Sequence, residues 1–228
     1  MPRRALLIFA DDAKLDLARR GLPVAALPLL QFPSLRHEPA ISADIHVFSS
    51  AATPPRGALY FHRQRGTGFA QRFENAIEAL SALGYGEIVA IGRDCPALRP
   101  DDVEKAFQQL SEKQLVLGPD HRGGCYLIAF RAADRALLQN IRWNQNSDCA
   151  QLHARCSGDG VFLLPVKHDL DSWADLRILA RGADWIAEFA YSLFRFVFLP
   201  DGQARFFVDL ARHFVRVRGQ MPPPVSAS

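Results

Sequence analysis

Arg4–Ala10 reads RALLIFA, a run with one charge at its start and otherwise only apolar residues. A strand this uniformly apolar has no solvent face, so the sheet that holds it must be covered on both sides. Comparable short runs recur at Asp44–Phe48 (DIHVF), Ala58–His62 (ALYFH), Glu87–Ile91 (EIVAI), Gln114–Leu117, Cys125–Phe130 (CYLIAF) and Val161–Pro165. Helical patterns lie between them. Phe69, Phe73, Ala76, Ile77 and Leu80 form one apolar stripe along Phe69–Leu83, which Gly84 and Gly86 end. Pro100-Asp101-Asp102 opens a second helix, and Asp171-Ser172 opens another through Leu179. Strands alternating with helices predict right-handed βαβ units and a mostly parallel sheet, the α/β class. Such folds bind ligands beyond the carboxyl ends of the strands. Asp94 and Asp171 each follow a predicted strand and fall there.

A chain of 228 residues holds one full-sized core. With 49% hydrophobic and 22% charged residues, it has enough apolar mass to fold and does not have the composition of a disordered chain. A net charge of +3 gives no reason to expect nucleic acid. The apolar run in MPRRALLIFADD is too short for a signal-peptide core, and no stretch is long enough to span a bilayer. A cytoplasmic protein is expected. Cys95, Cys125, Cys149 and Cys156 form no C-x-x-C pair and no zinc spacing with histidine, so they read as reduced, partly buried thiols.

The pattern changes after Gly182. Residues 183–199 and 203–218 read as two helices rich in Phe and Arg, joined by Pro200-Asp201-Gly202. Phe206, Phe207, Leu210, Phe214 and Val217 share one side of the second. That side predicts packing on the domain or on a second copy, giving a homodimer; its arginines would also suit an anionic surface. The expected organisation is a domain over 1–182, a helical extension over 183–220 and a disordered tail over 221–228.

Four segments carry candidate chemistry. In IGRDCPALRPDDVEKAF (91–107), Gly92 lets the chain turn, Pro96 stops the strand, and Asp94 emerges between them. A carboxylate there either holds a divalent cation that neutralises a diphosphate or caps a local turn. In VLGPDHRGGCYLIAF (116–130), Gly123-Gly124 permits close backbone approach to a ligand, or a tight turn. In HDLDSWADLRIL (168–179), Asp171 is a second metal-facing carboxylate or a helix N-cap, with Asp175 in the first turns. In QRGTGFAQRFENA (64–76), a Gly-x-Gly at a helix start suggests a phosphate cradle, and Arg72 either reaches an anion or lies on the surface.

Taken in order, these segments resemble the bacterial DUF2064 proteins, a branch of the nucleotide-diphospho-sugar transferase superfamily with a GT-A-like, Rossmann-like fold. Some members are described as radical-SAM/selenodomain-associated glycosyltransferases. The resemblance spans roughly residues 4–180. The family's Q-x-G-x-x-L-G-x-R helix is matched by Gln64, Gly66, Phe69, Ala70 and Arg72. Its I-G-x-D-C-P-x-L signature is matched by Ile91, Gly92, Asp94, Cys95, Pro96 and Leu98. Its L-G-P…G-G-x-Y-L-I segment appears as Leu117, Gly118, Pro119, Gly123, Gly124, Tyr126, Leu127 and Ile128. Its I-P-W motif appears as Ile141-Arg142-Trp143, and its terminal D-x-D-T-x-x-D-L as Asp169, Asp171, Ser172, Asp175 and Leu176. The resemblance implies a nucleotide-sugar donor, an acceptor entering over Gly123-Gly124, and Mg²⁺ or Mn²⁺ held by Asp94 with Asp171. The candidate binding residues are Lys14, Gln64, Gly66, Arg72, Asp94, Arg122, Gly123, Gly124 and Trp143.

Two departures bear on that chemistry. The family's F-x-R-x-P-x-x-G-x-x-K-T-R-L loop is replaced by FADDAKLDLARRGLP, with Asp11 where an arginine is expected and Lys14, Arg19 and Arg20 nearby. The family's Asp-Gly-Gly is Arg122-Gly123-Gly124, so a carboxylate has become a permanent cation. Three readings stand: a metal-dependent glycosyltransferase with a rewired loop, a transferase whose Arg122 partly replaces the metal, or a non-catalytic relative that binds a nucleotide, sugar or protein. Nucleotidyl transfer needs the same counter-charge and is the rival reaction. His62, His121 and His168 are candidate bases.

Overall fold

A computed structural model describes residues 2–22, 41–54 and 60–179. The expected extension over 183–220, the tail, the boundary at 182 and the first residues of the Ala58–His62 run lie outside them. Seven strands form one sheet: β1 (Arg3–Ala10), β2 (Asp44–Ser49), β3 (Tyr60–Arg63), β4 (Tyr85–Ile91), β5 (Leu115–Pro119), β6 (Cys125–Arg131) and β7 (Val161–Leu163). Their order is β3-β2-β1-β4-β6-β5-β7. β3, β2, β1 and β4 run parallel, as does β7 beside β5. β6 is antiparallel to both β4 and β5. The turn of residues 120–124 is too short for a crossover, so β5 and β6 can only pair as a hairpin. The sheet is therefore mixed, with a GT-A-like architecture.

The apolar strands are buried because helices cover both faces. α2 (Gly68–Ala82) lays Phe73, Ala76, Ile77 and Leu80 against Leu7, Phe9 and Ile88. α3 (Pro100–Gln109) lays Val103, Ala106 and Phe107 against Leu6, Ile8 and Val89 on the other face. These helices follow the periodicity of their sequences. A 3₁₀ turn (Ala132–Leu138) and α4 (Asp148–His153) were not anticipated, because neither is long enough to show a period. α1 (Ala13–Arg19) follows β1 directly, and Asp12 caps it by accepting from the Lys14 and Leu15 amides at 3.0 and 3.2 Å. α5 (Trp173–Leu179) closes the described chain. No described helix is long and apolar enough to cross a membrane.

Candidate functional site

A cleft of about 440 Å³ opens where β1 and β4 end and β6 begins. One wall is aromatic. Trp143 packs on Phe69 and Phe73 with ring centroids 5.6 and 5.3 Å away, and Phe9 meets Phe73 at 5.2 Å. The loop carrying Trp143 is held by side chains of α4: Asp148 accepts from the Asn144 amide, and Gln151 accepts from the Arg142 amide at 2.9 Å. Gly123, at φ +101°, lets this loop lie close, since a Cβ there would stand 2.4 Å from the Asn146 carbonyl oxygen.

The rest of the lining is largely charged. Asp11 accepts from Arg72 at 2.8 Å and from Arg19. Burial alone would raise the Asp11 carboxyl, but Arg72 and Arg19 hold it below the ordinary carboxylate value. Gln64 acts as a strut: its amide nitrogen donates to the carbonyls of Ala10 and Phe48, both at 3.1 Å, and its oxygen accepts from Arg72 at 2.7 Å. This ties the carboxyl ends of β1 and β2 to the guanidinium of Arg72. Arg93 donates to the Asp11 carbonyl, while its buried Nε makes no hydrogen bond among the described residues and lies 3.9 Å from Asp16.

Arg20, just past α1, stands at the centre. Its Nε donates to Asp16 at 3.0 Å, its Nη2 to Asp94 at 2.8 Å, and its Nη1 to the Leu170 carbonyl at 2.8 Å and to Asp171. Burial disfavours the guanidinium charge, but Asp94, Asp16 and Asp171 more than restore it. Asp171 also accepts from Arg122 at 2.5 Å, and burial nevertheless leaves the Asp171 carboxyl above its usual range. Arg122 binds both oxygens of the buried Asp175, at 2.8 and 2.7 Å. Asp169, 6% exposed, is pushed up to about 8 by burial, reinforced by Asp94, Asp120 and Asp171.

Among the implied residues, Arg72, Asp94, Gly124, Trp143 and Asp171 line the cleft. Lys14, Gly66, Gln64, Arg122 and Gly123 do not. Lys14 is exposed, and Gln64 and Gly123 work by positioning others. Arg122, a candidate phosphate counter-charge, pairs here with Asp171 and Asp175. Asp171 as an N-cap is corrected, since Asp175 accepts from the Asp171 amide at 3.1 Å while the Asp171 carboxylate bridges two arginines. His62, His121 and His168 do not line the cleft. Sequence reasoning missed Arg20, Arg93, Asp120 and Asp169 as lining residues. Arg93 and Asp169 lie inside the quoted motifs, whereas nothing local marks Arg20.

Asp94 and Asp171 do converge, as the metal expectation requires, but they converge on a guanidinium. Among the described residues no group of three or more His, Cys, Asp or Glu side chains could hold a metal ion. The donor set as it stands does not fit Mg²⁺ or Mn²⁺.

Residues 35–145 match the family described as an uncharacterized protein conserved in bacteria, DUF2064. This segment includes Asp94, Arg122 and Trp143 and excludes Arg20, Asp169 and Asp171. No curated protein matches the chain. Its fold is similar to that of a candidate nucleotide-diphospho-sugar transferase from Desulfovibrio desulfuricans G20, at 24% identity, TM-score 0.63, over 79% of this chain and 87% of that one. A homolog of Mycobacterium tuberculosis Rv0371c from Mycobacterium sp. strain JC1 is similar at 16% identity, TM-score 0.51, over 84% and 97%. The 4-diphosphocytidyl-2C-methyl-D-erythritol synthase from Anaerococcus prevotii DSM 20548 is similar at 11% identity, TM-score 0.50, over 83% and 98%. These likenesses establish the fold alone.

Proposed function

We propose that the chain transfers a glycosyl group from a nucleotide-sugar donor to an acceptor. The observation that carries this reading is that one cleft is lined by both an aromatic cluster and arginines. Trp143 and Phe69 offer apolar faces to a base, and Arg72 and Arg93 offer guanidinium donors to phosphates. The Nε of Arg93 makes no hydrogen bond among the described residues and is a donor that a phosphate oxygen would satisfy. The acceptor enters over the Gly123-Gly124 turn, whose Gly124 lines the cleft. The fold shared with the Anaerococcus synthase supports nucleotidyl transfer as the second reading.

The test is a thermal-shift series with UDP-, GDP-, CDP- and ADP-sugars and nucleoside triphosphates, run in EDTA. A ligand at a hundredfold its Kd stabilises the native state by about 2.7 kcal/mol. One nucleotide class should raise Tm, and Arg93→Ala and Arg72→Ala should each lose that rise. Products then separate the reactions: a released nucleoside diphosphate marks glycosyl transfer, and pyrophosphate from a triphosphate marks nucleotidyl transfer. Absence of any shift would reject both enzymatic readings in favour of a binding module.

A further inference from the structure

The acids expected to hold a metal are already neutralised by the protein. Three carboxylates and one carbonyl surround Arg20, coming from α1 (Asp16), from the end of β4 (Asp94) and from the chain before α5 (Leu170 and Asp171). These four bonds use four of the five N–H donors that a guanidinium carries. The side chain is 18% exposed, so the pairs are poorly screened by solvent. Oxygen ligands converging from separate segments on one charge resemble the shell a hard divalent cation would collect.

We infer that Arg20 is a built-in counter-cation that stands in the place of a divalent metal between Asp94 and Asp171, closing those carboxylates to free metal ions. Arg20 would have to leave before Mg²⁺ or Mn²⁺ could enter. The neighbouring groups make that exchange harder. Arg122 holds the second oxygen of Asp171, and Arg93 lies 3.9 Å from Asp16, so an incoming ion would meet two further guanidinium charges. Gly92 also serves this arrangement: a Cβ there would lie 2.4 Å from Asp94 Oδ1, so glycine leaves room for the carboxylate that Arg20 grips. Arg20 is thus a specificity-determining residue for the cation. It works by ion pairing, with no role assigned to it in bond making.

The experiment uses Mn²⁺ alone, followed by the loss of the free-ion paramagnetic resonance signal, on the full chain. Wild type should leave the signal unchanged into the millimolar range. Arg20→Met, which keeps the stem and removes the charge, should bind Mn²⁺ at least about tenfold more tightly than wild type. Adding Asp94→Asn to Arg20→Met should abolish that gain. Arg20→Lys should stay closed to metal, and Arg20→Gln is read in the same way as Arg20→Met should the methionine variant not fold. Wild type that binds Mn²⁺ as tightly as the uncharged variants, with both sensitive to Asp94→Asn, overturns the inference. So does failure of both wild type and the uncharged variants to bind, because Arg20 would then not be what excludes the ion. Neither result depends on nucleotide binding, so failure of the proposed transfer reaction is seen separately in the EDTA thermal shifts.

Discussion

At Asp169 a buried carboxyl group feels the charges of Asp94, Asp120 and Asp171, and one of its oxygens has no hydrogen-bond partner among the described residues. Burial and these acids push it up to about 8 from 3.8. The folded state therefore holds a proton that the unfolded state releases across this window. Stability contributed by the group is undiminished below pH 3.8 and falls as pH rises toward 8. Asp169→Asn, which keeps the shape and loses the charge, is expected to raise stability at pH 8 by roughly 1–3 kcal/mol, and by less at pH 5. Urea unfolding at the two pH values checks this, and an equal change at both would refute it. The sequence shows Asp169 only as the first acid of a D-x-D pair. Its isolation arises because Asp94 and Asp120, distant in the chain, end beside it.

The short helix α1 decides where Arg20 points. Asp12 starts it with two amide bonds, and after its seven residues the chain leaves it at Arg20, directed toward Asp94 and Asp171. Asp12→Ala should cost about 1 kcal/mol, the usual value of an N-cap. Because the cap fixes the helix register, this variant should also weaken the Arg20–Asp94 pair and admit some Mn²⁺. Calorimetric unfolding and the Mn²⁺ signal measure the two effects independently. Elements of this size are hard to read from sequence. α2 has 15 residues and showed a clear stripe, whereas α4, with 6, showed none. The antiparallel setting of β6 was equally hidden, since a fully apolar run looks the same in either direction.

The whole sheet carries a second pH response at the end away from the cleft. His46 on β2, 2% exposed, meets His62 of β3 at 3.0 Å and the Tyr85 hydroxyl of β4 at 2.8 Å. Tyr85 in turn donates to Asp44 at 2.6 Å. Burial, aided by His62, lowers His46 to about 4 from 6.5. The folded state keeps this ring neutral while the unfolded state takes a proton, so its stabilising contribution is present above pH 6.5 and is lost as pH falls toward 4. Asp169 has the opposite slope over that range. The two should partly cancel between pH 4 and 6.5 and leave a net decline above 6.5. In Asp169→Asn the opposing Asp169 slope is gone, and His46 together with His62, which burial also lowers, should make stability rise from pH 4 to 6.5. Tm measured across this range checks the prediction, and a flat profile in that variant would count against it.

The alternation of apolar strands with amphipathic helices determined the α/β class, the two-sided cover of the sheet and the position of Asp94 at a strand end. Those features are local: hydrophobic period and turn residues act over a few positions. The order of charged partners was settled only by tertiary structure. Arg20 meets acids 4, 74 and 151 residues away, and Arg122 meets acids 49 and 53 residues away. No periodicity encodes such pairs. They form because three strand ends and one short helix bring carboxylates into a space partly closed to water. There an unpaired charge is costly, and the nearest guanidinium within reach offsets it.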